Sequence, residues 1–399
     1  MTATVTAAES RGADTASAWF GAALTATHLL TVYFWREMLP RIAKRDGAIC
    51  WPQLPDCEAY RPLLRAFADT GLAIYAMCAA LVVALFLTRR FRRVALGGLA
   101  LLTVVKLGVI AQDFRFMGNF HDMPLMATIA YLMAPRRLDV AQTALVAFYV
   151  GAGVLKINVE WLSGAAMIRP SVLAGTLLER FALAYVVVLE LVLVFGLLSR
   201  HRWVRWATLA QLAMFHAFSW HIVGYFYPLV MACLLSVFPL AWRAGASLDF
   251  GDFFSGRATR RAYAFAAVFA FCQLTPAFYP GDSALTGEGR FLSLDMFDAF
   301  SRCEHIAFVT APERGIIVEE ALPTSGSVRV HCDPIMFWNH MRRACDGLVA
   351  DARLDAALFS RRTTAPEMLS IFELSDVCKS VPVLDAVRPS PWIEPRPMR

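Results

Sequence analysis

The stretch Gly151-Ala-Gly-Val-Leu-Lys-Ile-Asn-Val-Glu-Trp-Leu-Ser-Gly164 closes an apolar run with a lysine, a glutamate, a tryptophan and a glycine. A charge in hydrocarbon is costly, so Lys156 either reaches for the water boundary or is kept inside for chemistry. Taken alone, the spacing of Lys156 and Glu160 is that of an ordinary helix-face ion pair, worth a few tenths of a kcal/mol when exposed. The rest of the chain has to decide between these readings.

The composition moves the chain toward lipid. Hydrophobic residues make up 58% and charged residues 18%, with a mean hydropathy of +0.51, against roughly half apolar and a quarter charged in globular proteins. Nine apolar stretches approach the length of a membrane helix. They lie near 18–36, 67–88, 94–112, 121–134, 140–158, 181–198, 205–222, 224–242 and 262–278. The fourth is short and the seventh and eighth are tightly joined, so eight spans also fit. The expected fold is an α-helical polytopic membrane protein. Its parts are a disordered N-terminus (1–17), a helical domain (18–278) and a small extracytoplasmic α+β domain with a Pro-rich tail (279–399). The first apolar stretch reads as an uncleaved span, since no basic region or cleavage site accompanies it.

Arginine clusters at Arg89–Arg93, Pro135–Arg137, Arg200–Arg205 and Arg257–Arg261 fall in alternate connections. Short basic loops stay cytoplasmic, which puts the N-terminus inside and the C-terminal domain outside a plasma membrane. The basic loop Arg36–Arg65 argues the other way, though it is diluted by acids. Cysteine gives an independent check. Cys78, Cys233 and Cys272 lie in spans, whereas Cys50, Cys57, Cys303, Cys332, Cys345 and Cys378 all fall on the outer side. An even set in an oxidising compartment suggests disulfides, with 15 pairings open. The net charge of +6 is explained by topology and is no nucleic-acid signal. No zinc-type Cys/His spacing, phosphate loop or GxSxG elbow occurs, and no metal site is expected.

In the outer domain, "HIAFVTA", "GIIVEEAL", "SVRVHC" and "LSIFELS" read as strands. "PIMFWNHMRRACDGLVADARL" reads as one amphipathic helix. Among the spans, Lys106, Asp113, Arg115, His121, Asp122, Lys156, Glu160, Glu190, His216 and His221 are the ionisable residues. Such groups face the bundle interior and pair with one another. Asp113–Asp122, Lys156–Glu160 and His216–His221 all fall near the outer leaflet, so one shared cavity is expected. Plainer roles stand beside this one: pairing within the loop for Asp113, Arg115 and Asp122, a buried partner such as Lys106 for Glu190, and satisfied interior histidines. Trp220, Tyr225, Phe226 and Tyr227 read as an interfacial belt or as walls for a ring-shaped ligand.

"AGVLKINVEWLSGAAM" resembles vitamin K-dependent gamma-carboxylases and the wider horizontally transferred transmembrane (HTTM) domain group, through Ala152, Gly153, Lys156, Asn158, Glu160, Trp161 and Gly164. "QDFRFMGNFHDMPLM" is similar to the family's Asn-x-His stretch at Asn119 and His121. "MFHAFSWHIVGYFYPLVMA" is similar to its Phe-His…Gly-x-Phe segment at Phe215, His216, Gly224 and Phe226, but is about two residues shorter. "LTGEGRFLSLDMF" resembles a stretch beyond the last span, with Leu for both family tryptophans. The large extra domain of the animal enzymes has no counterpart.

The resemblance implies a membrane enzyme in which Lys156 deprotonates a reduced quinone, vitamin K hydroquinone or menaquinol. Oxygen then yields a stronger base, which removes a γ-proton from a glutamate of an exported protein or peptide for capture of carbon dioxide. His121 and Asn119 orient the reactive oxygen, and Asn158, Glu160, Trp161 and His216 line the site. That chemistry needs a neutral amine, which an apolar pocket favours and a nearby Glu160 opposes. The catalytic reading therefore requires the Lys156 and Glu160 side chains to diverge. The other reading is a non-catalytic HTTM membrane protein that binds lipid or quinone, or assists an exported partner.

Overall fold

Helix formation begins earlier than the apolar pattern indicates, because the first arginine-rich connection holds the N-terminal segment in place. In the computed structural model the described residues are 7–44, 47–134, 138–167, 169–224, 226–245, 248, 260–290, 293–294, 301–311, 316–319, 332–348, 352–379, 385 and 388–397. Helix α1 spans Ala7–Lys44, so the expected disorder over 1–17 is corrected from Ala7 onward. Arg92 donates to Asp14 (2.5 Å) and Ser17 (2.8 Å), and Arg89 donates to Thr15 (3.0 Å).

There follow α2 (Arg61–Ala66), α3 (Leu72–Thr88), α4 (Arg92–Gln112), α5 (Asn119–Met133), α6 (Asp139–Leu155) and the one-turn α7 (Val159–Leu162). The helical part closes with α8 (Leu177–Leu191), α9 (Arg202–Val223), α10 (Phe226–Leu235), α11 (Val237–Arg243) and α12 (Arg260–Leu274). Every one of the nine apolar stretches is built largely of helix. Among the described residues, three helical segments are long and apolar enough to cross a membrane: Cys57–Thr88, Arg92–Gln112 and Phe226–Arg243. Ile74, Met77 and Leu81 on α3 and Leu101 and Val104 on α4 point outward and are exposed. A continuous apolar face of this kind suits lipid rather than water.

The central helix is α1, which packs on α3, α5, α10 and α11. It buries Phe20, Leu24, Trp35 and Leu39 together with Thr25, Thr27 and Thr31. Those hydroxyls donate to the carbonyls of Gly21, Leu24 and Thr27 at 2.8, 2.6 and 2.9 Å, so the polar groups are satisfied within the helix.

The C-terminal region holds an antiparallel sheet in the order β2-β1-β3-β4-β5. Its strands are β1 (Ser301–Ala311), β2 (Ile316–Glu319), β3 (Arg353–Arg362), β4 (Leu369–Leu374) and the two-residue β5 (Arg396–Pro397). Two helices accompany them, α13 (Ser283–Thr286) and α14 (Pro334–Gly347). The expected helix through Leu354 stops at Gly347, and β3 was not anticipated. Alternate residues of β3, Leu354, Ala356, Leu358 and Ser360, are buried, which is the period of a strand with one face on a core. Residues 327–331 of the expected strand "SVRVHC" lie outside the described residues, as do Pro135–Arg137, Tyr225 and parts of "LTGEGRFLSLDMF". The Pro-rich end docks rather than trails: Trp392 packs edge-on against Phe372 and Glu394 N–H bonds the Ile371 carbonyl at 2.9 Å.

The C-terminal sheet region shares a core with two connections of the helical part. Ile49 and Phe114 are buried with Leu285, Ile335, Met341, Leu358 and Ile371. Asn339 on α14 bonds both the N–H and the carbonyl of Cys50, at 2.9 and 3.0 Å. Arg115 grips Asp113 through two bonds of 2.8 and 2.7 Å, and Asp113 also accepts from Ile49 N–H at 3.1 Å. The plainer role of Asp113 and Arg115 is the one the structure uses. The six cysteines expected to pair do so, as Cys50–Cys57, Cys303–Cys332 and Cys345–Cys378, while Cys78, Cys233 and Cys272 stay free.

His340 on α14 is buried with its Nδ1 3.0 Å from Arg343. Burial, followed by the charges of Arg343, Arg115 and His305, pushes its imidazole down to about 4. The folded state therefore prefers neutral His340. Its stability is complete above the unfolded value near 6.5 and falls as pH drops toward 4, by up to about 3 kcal/mol. Melting of the full chain should steepen its fall between pH 6.5 and 4.5, and His340→Gln should flatten that slope. Equal slopes for the two proteins would contradict this assignment.

Candidate functional site

Helix α6 ends at Leu155, and Lys156 is its C-cap residue. Asn158 then takes an extended conformation and caps α7: its Oδ1 accepts from Trp161 N–H at 2.8 Å, and its Nδ2 donates to the Leu155 carbonyl at 2.6 Å. The chain turns between the two charges. Lys156 and Glu160 are therefore not on one helix face, and the expected helical spacing of four does not bring them together.

Lys156 Nζ lies 2.6 Å from Glu190 Oε2 on α8, with both side chains buried, and donates also to the Ala152 carbonyl at 3.2 Å. Its amine stands 5.0 Å from the centre of the Trp161 ring. Gly153 permits this pairing. A Cβ there would meet Leu191 Cγ at 2.8 Å and Glu190 Cβ at 3.1 Å, so any side chain would push α8 away. The expected Glu190–Lys106 pair is thus replaced by Glu190–Lys156.

Glu160 turns to the outer domain. Its carboxylate accepts from Arg362 Nη1 at 3.0 Å and from Thr364 Oγ1 at 2.5 Å. Arg362 also holds Asp282 through bonds of 2.5 and 2.8 Å. Burial raises the Glu160 carboxyl, but the Thr364 and backbone hydrogen bonds and the Arg362 charge outweigh it and hold the group below its ordinary value. Trp161 is buried, with its indole N–H on the Leu183 carbonyl at 3.2 Å.

Two histidines frame the neighbouring interior. His216 Nε2 is 2.7 Å from the Tyr149 hydroxyl, and its ring faces Tyr227 at 5.7 Å. His121 Nε2 accepts from Trp35 Nε1 at 3.2 Å. An indole N–H only donates, so a neutral His121 carries its proton on Nδ1. Among the described residues, Nδ1 of His121 and Nδ1 of His216 are buried without a hydrogen-bond partner.

Lys156 and His121 share no hydrogen bond or ring contact among the described residues. Tyr227 lies 3.5 Å from Met123 Sδ, and the Phe226 ring packs on Phe120 at 5.3 Å; Phe120 in turn lies 4.3 Å from His121. Asn119 is half-buried in the first turn of α5. His221 is half-buried, with its Nδ1 on the Phe218 carbonyl and its Nε2 accepting from Val172 N–H at 3.3 Å. Tyr149 and Trp35, which set the two histidines, carried no signal in the sequence beyond their aromaticity.

No family model, curated protein or solved structure matches the chain.

Removing one partner of a buried ion pair strands the other charge, at about 3–5 kcal/mol, whereas removing both with apolar residues of similar volume is close to neutral. Lys156→Met and Glu190→Leu should each lower the melting temperature, and the double variant should recover most of the loss. Additive losses would show that the pair is not made.

Proposed function

We propose that the chain is a polytopic membrane protein of eight or nine spans, N-terminus inside and outer domain outside, that acts as a carboxylase-like enzyme on a reduced quinone. The sidedness is supported by the shared core of the outer domain with the 47–57 and 113–116 connections, and by three disulfides in those same regions. A cysteine at Pro391 that labels only from the cytoplasm would contradict it.

The observation that carries the catalytic reading is the burial of the Lys156 amine on Glu190, away from Glu160. In a buried amine–carboxylate pair one proton is shared between two sites, and the pair exchanges it as a unit. Glu190 can hold the proton that leaves Lys156, which gives the neutral amine the chemistry requires. Glu160 is occupied by Arg362 and Thr364 and does not oppose it. The fit to a quinol rests on the two buried imidazole nitrogens without partners, at His121 and His216, and on the aromatic walls Phe34, Phe120, Phe226 and Tyr227. A bound quinol would supply the oxidisable ring whose reaction with oxygen drives proton removal from glutamate. The protein's part is to take the hydroxyl proton at Lys156 Nζ, orient the ring oxygens with the imidazoles, and exclude water.

A second reading, a non-catalytic membrane protein binding lipid or quinone, is favoured by one observation: Glu190 and Trp161 already satisfy Lys156. Mass spectrometry of exported proteins from cells expressing the full chain decides between them. The enzyme reading expects carboxylated glutamate that depends on reduced quinone and falls at least about 100-fold in Lys156→Met, the loss of a general base. No carboxylated glutamate, or the same amount with Lys156→Met, leaves the binding reading.

A further inference from the structure

Two arginine-rich connections and the start of α1 meet at one end of the helical part. Arg89 and Arg92 reach Thr15 and Asp14 on α1, and a Cβ at Gly12 would stand 3.8 Å from Ala244, just past α11. Beside Ala244, Trp242 packs edge-on against Trp206 of α9 with ring centres 5.2 Å apart. The Arg205 guanidinium lies 5.8 Å from the centre of the same Trp242 ring, and its Nε donates to the Ser199 carbonyl, which holds the group in place.

Arg202 stands 5.1 Å from the centre of the Trp203 ring. Arg202, Arg205 and Trp206 are three and four apart and share one face of α9. Trp203 is 75% exposed, and the exposed side of the helix continues from it through Met214 and Phe218, which are apolar. Arg200, Arg202, Arg205 and Arg243 lie in a stretch, 191–248, that contains no aspartate or glutamate. Two kinds of surface therefore adjoin at this end of α9. Guanidiniums set beside indole rings suit a phosphate, which they can grip with paired N–H donors, and exposed tryptophan is at home where headgroups meet acyl chains. The matching partner carries an anionic head next to apolar chains. A soluble anion or an acidic protein supplies only the head.

We infer that Arg202, Arg205, Trp203 and Trp206 form a binding site for an anionic phospholipid, its phosphodiester on the two guanidiniums and its acyl chains along the apolar side of α9. His216 lies about four turns further along α9, so the site is separate from the buried Lys156–Glu190 centre. It rests on the membrane reading of the helices and not on the quinol reading.

The test is native mass spectrometry of the full chain in neutral detergent, titrated with phosphatidylglycerol or phosphatidylcholine. The wild type should bind phosphatidylglycerol saturably and at least about tenfold more tightly than phosphatidylcholine. Replacing both Arg202→Gln and Arg205→Gln should erase that preference, at roughly fivefold for each arginine. Arg90→Gln with Arg93→Gln, an equal loss of charge at exposed positions of the same end, should keep it. No preference in the wild type, an equal loss in the Arg90 and Arg93 control, or displacement of phosphatidylglycerol by an equal concentration of glycerol phosphate overturns the inference. Should the double variant fail to fold, Arg202→Gln alone decides it: a loss of about fivefold supports the site, and no loss rejects it. A wild type that binds neither lipid contradicts the membrane reading along with the site, whereas equal binding of both lipids rejects the site alone.

Discussion

The break in the chain between Leu155 and Val159 governs how this molecule is put together. Had α6 continued, Lys156 and Glu160 would have faced the same way and neutralised each other at the membrane boundary. Asn158 stops the helix with both ends of its side chain, bonding backward to Leu155 and forward to Trp161. Lys156 is then directed inward to Glu190 and Glu160 outward to Arg362. The same short segment thereby secures α8 from one side and the outer domain from the other.

Keeping an ion pair inside an apolar bundle is not the most stable solution. The desolvation of two charges offsets most of their attraction, and well-packed apolar residues do as well or better. The local packing is nonetheless arranged around it, since Gly153 gives up a side chain so that α8 can approach. Intramembrane ionisable groups are costly and usually functional.

The periodic features were legible in the sequence. Apolar runs fell on helices, three of them long and apolar enough to cross a membrane among the described residues, and cysteine position separated six paired thiols from three free ones. The less regular features were hidden for physical reasons. Strand β3 begins Arg-Leu-Asp-Ala-Ala, which is rich in helix formers, and only the alternation of Leu354, Ala356 and Leu358 marks it. The order at Ala7–Ser17 depends on hydrogen bonds from Arg89 and Arg92, some 75 residues away in sequence. At the site, Lys156 and Glu190 both stand out in the sequence as charges in apolar runs, but their pairing follows from the approach of α8 over Gly153, which no local pattern encodes. Nor does helical spacing reveal a break produced by one asparagine side chain.

The central claim is that Lys156 and Glu160 have different partners. Solid-state NMR on the full chain in lipid, with nitrogen-15 lysine and carbon-13 glutamate labels, measures this directly through dipolar coupling between the Lys156 amine and the glutamate carboxyl carbons. Strong coupling is expected to one carboxyl, lost in Glu190→Gln labelled in the same way and retained in Glu160→Gln. The reverse pattern, coupling that survives Glu190→Gln and vanishes in Glu160→Gln, would make the motif an ordinary helix-end ion pair and contradict the account.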